Sequence, residues 1–213
     1  MIISHEHELY VATRKREGGK HNGAYYYSVE ICKNIIPKIK TKRNWVTINI
    51  PPVGKDHSIV FIHNNLHPSY YEWLRRYEDL ILVCGVPSTC EKVAHIGKTI
   101  YLPLSVDVAD VEQYKTAKTK EVCFAGRKQK RERAGFHGID ILEDLPREEL
   151  LREMAKYKQV YAVGRTAIEG KILGCEILPY DERFPDPSIW KIMDNSEAVP
   201  LLQKALDEVE RWK

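Results

Sequence analysis

The sequence predicts an α/β protein with two open parallel sheets, and three observations support this class. Short runs rich in β-branched and aromatic residues alternate along the 213-residue chain with segments of helical spacing. Several runs, such as residues 80–84, are continuously apolar, which is typical of parallel strands that helices cover on both faces. A polar stretch at 107–120 divides the alternation into two halves of ordinary domain size.

Each predicted element follows from this pattern. In chain order, apolar runs predict strands at 8–13, 45–50, 58–63, 79–84 and 99–104, and then at 121–125, 138–142, 159–163 and 175–178. Helical spacing predicts helices at 24–39, 68–77, 90–95, 147–156, 167–173 and 199–212. The polar stretch has little to bury, so we interpret it as a linker between an N-terminal domain of 1–113 and a C-terminal domain of 114–213. For the last helix, the sequence leaves two alternatives open: packing within the C-terminal domain or packing back on the N-terminal domain.

Composition excludes several classes of protein. Hydrophobic residues make up 43% of the chain and charged residues 30%, which is typical of a globular protein and not of a disordered one. No apolar run approaches the roughly 18 residues that a membrane helix requires, so we expect a cytoplasmic protein without a membrane partner. The cysteines show no C-x-x-C spacing, and no Asp/His cluster has metal-ligand spacing. We therefore expect reduced thiols and neither a metal nor a cofactor.

The net charge of +3 hides a strongly basic segment. Eight Lys and Arg residues lie between Lys115 and Arg133, against only Glu121 and Glu132. Such a cluster attracts phosphate, whether on a nucleotide, a nucleic acid or a lipid surface. A solvated charged face without a ligand explains the cluster as well.

Two segments of the N-terminal half are candidates for ligand contact. Gly18 and Gly19 precede the first predicted helix and permit close backbone approach to an anion or a sugar hydroxyl, although a flexible connector is an equal alternative. His63 and Asn64 follow a predicted strand, and the carboxyl ends of parallel strands face the ligand crevice of such a sheet. A structural, hydrogen-bonding histidine is the alternative for His63.

In the C-terminal half, a predicted strand stops at Gly126 and is followed at once by cations. Arg127, Lys130 and Arg131 are well placed there for a diphosphate, because guanidinium and ammonium groups bind phosphate oxygens strongly. An exposed basic loop is the other interpretation.

A second strand end carries Gly164 and Arg165, followed by Thr166 and, three residues later, Glu169. The Thr-x-x-Glu spacing predicts a capping box, which satisfies the first amides of a helix without any ligand. The spacing alone therefore does not assign a binding role to Glu169.

Four segments occur in an order that a known family shares. They are the runs 103–107 (Pro-Leu-Ser-Val-Asp), 124–127 (Phe-Ala-Gly-Arg), 145–151 (Leu-Pro and an acidic helix start) and 169–177 (Glu-Gly-Lys-Ile-Leu-Gly-Cys-Glu-Ile). This order resembles the glycosyltransferases of GT-B architecture, especially the retaining branch that uses nucleotide sugars. Eight positions before Glu169, where retaining members usually carry another Glu, this chain has Tyr161.

The resemblance implies two Rossmann-like domains that face a cleft, and an enzyme that moves a sugar from a nucleotide-diphospho sugar to an acceptor of unknown identity. It implies that His63 acts on the donor sugar, that Arg127 with Lys130 or Arg131 binds the diphosphate, and that Glu169 holds the ribose. It also implies that no metal is required. The loops expected to line the cleft contain Gly18, Gly19, Asn64, Gly126, Arg165 and Thr166.

Three rival interpretations remain open at the level of sequence. A non-catalytic nucleotide- or nucleic-acid-binding protein of the same fold is favoured by Tyr161 and by the basic cluster. A glycosyltransferase that acts on nucleic acid would use the basic cluster to hold its acceptor. A purely structural α/β protein would need neither the diphosphate nor the ribose contact.

Overall fold

The computed structural model describes residues 2–3, 23–43, 45–48, 56–63, 67–180, 182 and 184–211. Over these residues the chain is an α/β protein with two parallel sheets of Rossmann-like type, so the predicted class is confirmed. The predicted strand at 8–13 and the candidate residues Gly18, Gly19 and Asn64 lie outside the described residues.

The strands and helices of the described residues follow one another along the chain. The strands are β1 (Ile2–Ile3), β2 (Trp45–Ile48), β3 (Ile59–Ile62), β4 (Ile81–Cys84), β5 (Lys98–Tyr101), β6 (Lys120–Gly126), β7 (Asp140–Glu143), β8 (Tyr157–Tyr161) and β9 (Glu176–Leu178). The α-helices are α1 (Gly23–Glu30), α2 (Pro68–Leu74), α3 (Pro87–Val93), α4 (Val108–Glu112), α5 (Lys128–Ala134), α6 (Arg147–Met154), α7 (Arg165–Ile172) and α8 (Asn195–Arg211).

The contacts divide the chain into two compact units. The first contains Tyr27–Ser105 and Asn195–Lys213, with β1. The second contains Val106–Asp194, together with the residues of α1 up to Tyr26. The last helix therefore belongs to the first unit.

The first unit contains the sheet β1-β2-β3-β4-β5, in which every pair is parallel. Its central strands β3 and β4 are fully buried, as their continuous apolar runs require. One face of these strands packs against Leu74 of α2 and Val93 of α3. Burial of each such side chain contributes about 1.5–3 kcal/mol, so this face is a main source of stability.

The second unit contains the sheet β7-β6-β8-β9, also parallel throughout. The chain leaves β6 for β7 on one side and then returns to place β8 on the other side. Because crossover connections in parallel sheets are right-handed, this reversal sends the connecting helices to opposite faces. The carboxyl ends of β6 and β8 therefore form a topological switch point, where open α/β sheets bind ligands.

Two predicted loops are helices in the structure. The polar stretch interpreted as a linker contains α4, which begins where Asp107 accepts a hydrogen bond from the amide of Asp110 at 3.0 Å. The basic segment after Gly126 forms α5, which ends at Gly135 in the left-handed conformation. Both helices are short, and α5 is also polar, so neither carries an apolar periodicity long enough for the sequence to reveal.

The helix predicted at 24–39 changes its winding along its length. It is α-helical up to Glu30, then π-helical over Ile31–Ile35 and 3₁₀-helical over Ile36–Lys38. Pro37 supplies a physical reason for the end of the regular ladder, because it has no amide hydrogen to donate. Within the described part of the chain, no helix has both the length and the apolar character needed to cross a membrane.

Candidate functional site

The switch point of the second unit brings together the ends of two strands and the segments that follow them. β6 ends at Gly126 and leads through Arg127 into α5, while β8 ends at Tyr161 and leads through Gly164 into α7. Phe124 lies opposite Tyr161 in the register between the two strands. Two Gly-Arg steps thus follow the two strands that flank the switch point.

Arg127 and Lys130 are the cations at the first of these steps. Arg127 has extended backbone angles immediately before α5, and its side chain is exposed. Burial, reinforced by the nearby charge of Arg127, lowers the pKa of Lys130 to about 8. The ammonium group of Lys130 lies 5.7 Å from the centre of the Phe184 ring. Within the described part of the chain, neither cation pairs with a carboxylate.

Arg131 differs from its two neighbours because a carboxylate already neutralises it. Its guanidinium donates to both oxygens of Glu143, from Nε at 2.7 Å and from Nη2 at 3.2 Å. Glu143 ends β7, which pairs with the end of β6. The geometry thus ties Arg131 to the adjacent strand and leaves Arg127 and Lys130 as the cations open to an anion.

Glu169 lies at the centre of a buried ionic cluster in the second unit. Its side chain is 0% exposed, and Oε1 accepts hydrogen bonds from Arg165 Nε at 2.9 Å and from Arg147 Nε at 3.1 Å. Arg147 Nη1 in turn donates to Asp110 at 2.7 Å. The ring of Tyr26 lies 5.4 Å from the guanidinium carbon of Arg147. We call these five residues the guanidinium cluster.

The guanidinium cluster also covers the Tyr26 ring from a second side. The guanidinium carbon of Arg165 lies 5.8 Å from the centre of this ring, within the range of a cation–π contact. Burial raises the pKa of the Tyr26 hydroxyl, and the charge of Arg147 opposes that rise. The cluster fixes Arg165 in the first turn of α7, at the second Gly-Arg step.

The capping box predicted from Thr166 and Glu169 is wrong. Helix α7 begins at Arg165, and its N-cap residue is Gly164, so Thr166 lies inside the first turn. No side chain caps this helix start. Glu169 instead bonds to two arginines. Its predicted contact with a ribose stays a prediction.

His63 lies in the first unit, directly after β3. Its ring stacks on the ring of Tyr27, with the centroids 5.0 Å apart and the planes 25° from parallel. Burial of Tyr27 raises the pKa of its hydroxyl strongly. His63 therefore has an aromatic support at the carboxyl edge of the first sheet.

The basic cluster between Lys115 and Arg133 is partly paired within the protein. Lys115 bonds to Glu112 at 2.6 Å, Lys120 to the Tyr157 hydroxyl at 2.9 Å, and Lys128 lies 3.9 Å from Glu132. Four of its eight cations, Lys115, Lys120, Lys128 and Arg131, thus lie within 4 Å of a carboxylate. Arg127 and Lys130 have no such partner among the described residues.

Tyr161 belongs to an aromatic cluster beside the switch point. Its ring lies 4.5 Å from that of Phe136, which lies 5.3 Å from Phe124 and 5.5 Å from Tyr180. Where the resembled family has a carboxylate, this chain thus has a packing residue. Among the described residues, no group of three or more His, Cys, Asp or Glu side chains could hold a metal ion.

Comparison of the chain with protein-family models, with curated proteins and with solved structures finds no match. The function of the site therefore has to be argued from its own geometry.

Proposed function

We propose that the second unit binds the diphosphate of a nucleotide at the switch point, and that the protein is a glycosyltransferase that uses a nucleotide-diphospho sugar. The observation that carries the proposal is the strand order β7-β6-β8-β9, with a Gly-Arg step after each of the two strands at the switch point. The choice of sugar transfer as the reaction rests on the resemblance of the sequence.

The charges at the switch point support the diphosphate assignment. Arg127 is exposed and has no carboxylate partner among the described residues, so an incoming anion need not displace an internal ion pair. Lys130 is held beside it in a partly desolvated position, where a charge interaction is stronger than in water. In a transfer reaction the same cations would stabilise the leaving diphosphate, an electrostatic role typically worth about 3–4 kcal/mol per key contact.

Arg165, at the second Gly-Arg step, is only 4% exposed and is already paired with Glu169, so we do not count it among the cations open to the anion. This residue lies in the first turn of α7. Glu169 and Tyr26 hold its guanidinium in place. We assign Glu169 a positioning role for Arg165, besides the predicted contact with the ribose.

Calorimetric titration of uridine, guanosine and adenosine diphosphates into the purified protein tests the binding step. Arg127→Ala should weaken the affinity about 10- to 100-fold, because a charge-assisted contact contributes about 1.5–3 kcal/mol. Arg131→Ala is the matched control, and we expect less than about a threefold change because Glu143 already holds this side chain. Equal effects of the two substitutions, or none, would remove the diphosphate assignment.

A non-catalytic nucleotide-binding protein is the second candidate, and the packing of Tyr161 on Phe136 favours it. The two functions differ in the fate of a bound nucleotide sugar. A transferase releases the nucleoside diphosphate, slowly by hydrolysis even without the natural acceptor, whereas a binding protein returns the sugar nucleotide intact. Chromatography of the nucleotides after incubation decides between them, with Arg127→Ala as the control for contaminating activity.

Nucleic acid as the acceptor has less support from the charges. Four of the eight cationic side chains between Lys115 and Arg133 lie within 4 Å of a carboxylate, which lowers the net charge that this segment presents to phosphates along a strand. A salt-dependent shift of a single-stranded oligonucleotide on a native gel, lost at moderate salt, would reinstate this acceptor.

A further inference from the structure

Lys118 connects three elements of the second unit through its ammonium group. Nζ donates to the carbonyl oxygen of Leu173 at 2.8 Å and to that of Ala155 at 3.0 Å. These residues are the C-caps of α7 and α6, where helix carbonyls have no partner in the helix itself. The third contact of Nζ is the sulfur of Cys175, at 3.2 Å.

Each of the three hydrogens of the ammonium group thus has an acceptor, and the hydrogen bond to Cys175 places the nitrogen next to the sulfur. Two carbonyl oxygens hold the nitrogen in place, so its approach to the sulfur does not depend on a freely rotating side chain. Cys175 is buried, directly before β9, and its thiol donates to the carbonyl oxygen of Met154 at 3.5 Å. Lys118 is only partly buried, so small oxidants can reach the contact from its side.

We propose that Lys118 and Cys175 form a covalent, redox-reversible cross-link in which one oxygen atom joins Nζ to Sγ. The oxidant is dioxygen, or hydrogen peroxide as its surrogate. The proposal does not depend on the function of the switch point.

The reaction balances with one dioxygen molecule for each bridge, or with two molecules of hydrogen peroxide, which leave three water molecules. With dioxygen, after the ammonium group has lost a proton to solvent, one N–H bond, the S–H bond and the O–O bond break. An N–O bond and an O–S bond form. Nitrogen and sulfur together give up four electrons, one oxygen atom stays in the bridge, and the other leaves as water with the two hydrogens. Reversal takes four electrons, which two dithiol molecules supply: the O–S and N–O bonds both break, the thiol and the amine re-form, and the bridging oxygen leaves as water.

The electrostatics of Cys175 set the speed of the reaction. Burial raises the pKa of this thiol, and the hydrogen bond from Lys118 opposes the rise. Since the thiolate is the reactive form, we expect slow formation of the bridge that depends on proximity more than on intrinsic reactivity. The bridge would join the segment before β6 to the start of β9, and so restrain the C-terminal ends of α6 and α7.

Mass spectrometry of the intact wild-type protein tests the proposal. After incubation with hydrogen peroxide at mildly alkaline pH, we expect a species about 14 Da heavier than the reduced protein, since one oxygen is gained and two hydrogens are lost. In a tryptic digest, cleavage after Lys118 should disappear and a linked peptide containing residues 118 and 175 should appear. Dithiothreitol should restore both the mass and the cleavage.

Two variants provide the specificity control. Cys175→Ser should abolish the linked peptide, whereas Cys123→Ser, which removes another buried thiol of the second unit, should keep it.

The oxidised wild-type protein should melt several degrees higher than the reduced protein, because the bridge restrains the unfolded chain.

Oxidation of Cys175 by about 16, 32 or 48 Da with normal cleavage at Lys118 would overturn the proposal, because the oxygen would then have stayed on sulfur alone. No linked peptide under conditions that fully oxidise the half-buried Cys90 would overturn it as well. Both results come from the wild-type protein, so they do not depend on whether a variant folds.

Discussion

Glu169 is a buried carboxylate whose charge is balanced by two guanidinium groups of the same unit. Burial of an isolated charge is strongly unfavourable, and removal of one partner of a buried ion pair typically costs about 3–5 kcal/mol. The bonds to Arg147 and Arg165 explain why a helix as buried as α7 tolerates an acidic side chain. The residue is thus part of the stability of the unit, whatever it contributes to a ligand.

Glu169→Gln should therefore lower the free energy of unfolding by about 2–4 kcal/mol, because an amide leaves the buried Arg165 without its counter-charge and Arg147 with Asp110 alone. Glu148→Gln is the matched control on an exposed pair with Arg152, and a change of less than about 0.5 kcal/mol is expected. Urea denaturation of both variants measures the difference. An unchanged midpoint for Glu169→Gln would contradict the central role of its charge.

Lys130 makes stability depend on pH. Its pKa is about 8 in the folded protein, mainly because of burial, and about 10.4 in an unfolded chain. Between about pH 8 and about pH 10.4 the Lys130 amine is protonated more often in the unfolded state than in the folded state. The free energy of unfolding therefore rises with pH over this range and, as far as Lys130 is concerned, stays constant above it. Compared with Lys130→Met, the wild-type protein should gain about 2–3 kcal/mol between pH 7 and pH 11. If the difference in unfolding free energy between the two proteins did not change with pH, the pKa of Lys130 would be that of an ordinary surface lysine.

The candidate site was only partly predictable at the level of residues. Arg127 and Lys130 follow an apolar run and a glycine, which is a local signal. One partner of Glu169 is not local, since Arg147 lies 22 residues before it in the chain. Arg147 in turn contacts Asp110, which lies another 37 residues earlier. Pairings at such separations depend on tertiary structure, and a single sequence carries no pattern for them.

At the level of elements, apolar strands were predictable and polar helices were not. Residues 80–84 predict a buried strand because no charge interrupts them, and β4 is buried at every position. By contrast, α5 contains mainly Lys, Arg, Gln and Glu, so nothing in its composition separates a helix from a basic loop. The Thr-x-x-Glu motif was also misleading, because the N-cap of α7 is Gly164, two residues before Thr166.

Gly164 determines how β8 joins α7. Its φ of 63° and ψ of −136° lie in a region that only glycine adopts readily, so Gly164→Ala should destabilise the protein by about 1–3 kcal/mol. Gly135→Asn is the matched control, since its φ of 67° and ψ of 31° are left-handed helical values that asparagine tolerates. A Cβ atom at Gly164 or Gly135 would have no other atom within 4 Å, so the two variants differ in backbone strain and not in steric contacts of the Cβ atom. Equal thermal stability of both variants would argue against a strained connection.

At the level of the whole molecule, the first unit is built from separate parts of the chain. Helix α8 contributes Leu202 and Leu206, both fully buried, to this unit. Gln203 bonds to the amide and the carbonyl of Lys40, and Glu210 lies 3.8 Å from Arg43. The amphipathic spacing of the last helix was visible in the sequence, which left packing on the N-terminal domain as one option but did not indicate the contacts with Lys40 and Arg43.

Leu206→Ala should lower the free energy of unfolding by about 2–5 kcal/mol, because it leaves a cavity in a closed core. Leu201 lies on the same helix but is 43% exposed, so Leu201→Ala should change stability by less than about 0.5 kcal/mol. Hydrogen exchange should locate the loss of protection in β5 and in the π-helical turn Ile31–Ile35, as these elements contact α8. Loss of protection confined to α8 itself would indicate a loosely attached helix.

The separated parts of the first unit have a consequence for biosynthesis. A ribosome delivers residues in chain order, and the second unit has all of its residues once Asp194 has been made, whereas the first still lacks α8. Domains generally fold as units while the chain is being synthesised. The unit that starts second in the sequence is therefore the first to have all of its residues, and the apolar face later covered by α8 stays exposed until residues 195–211 have been made.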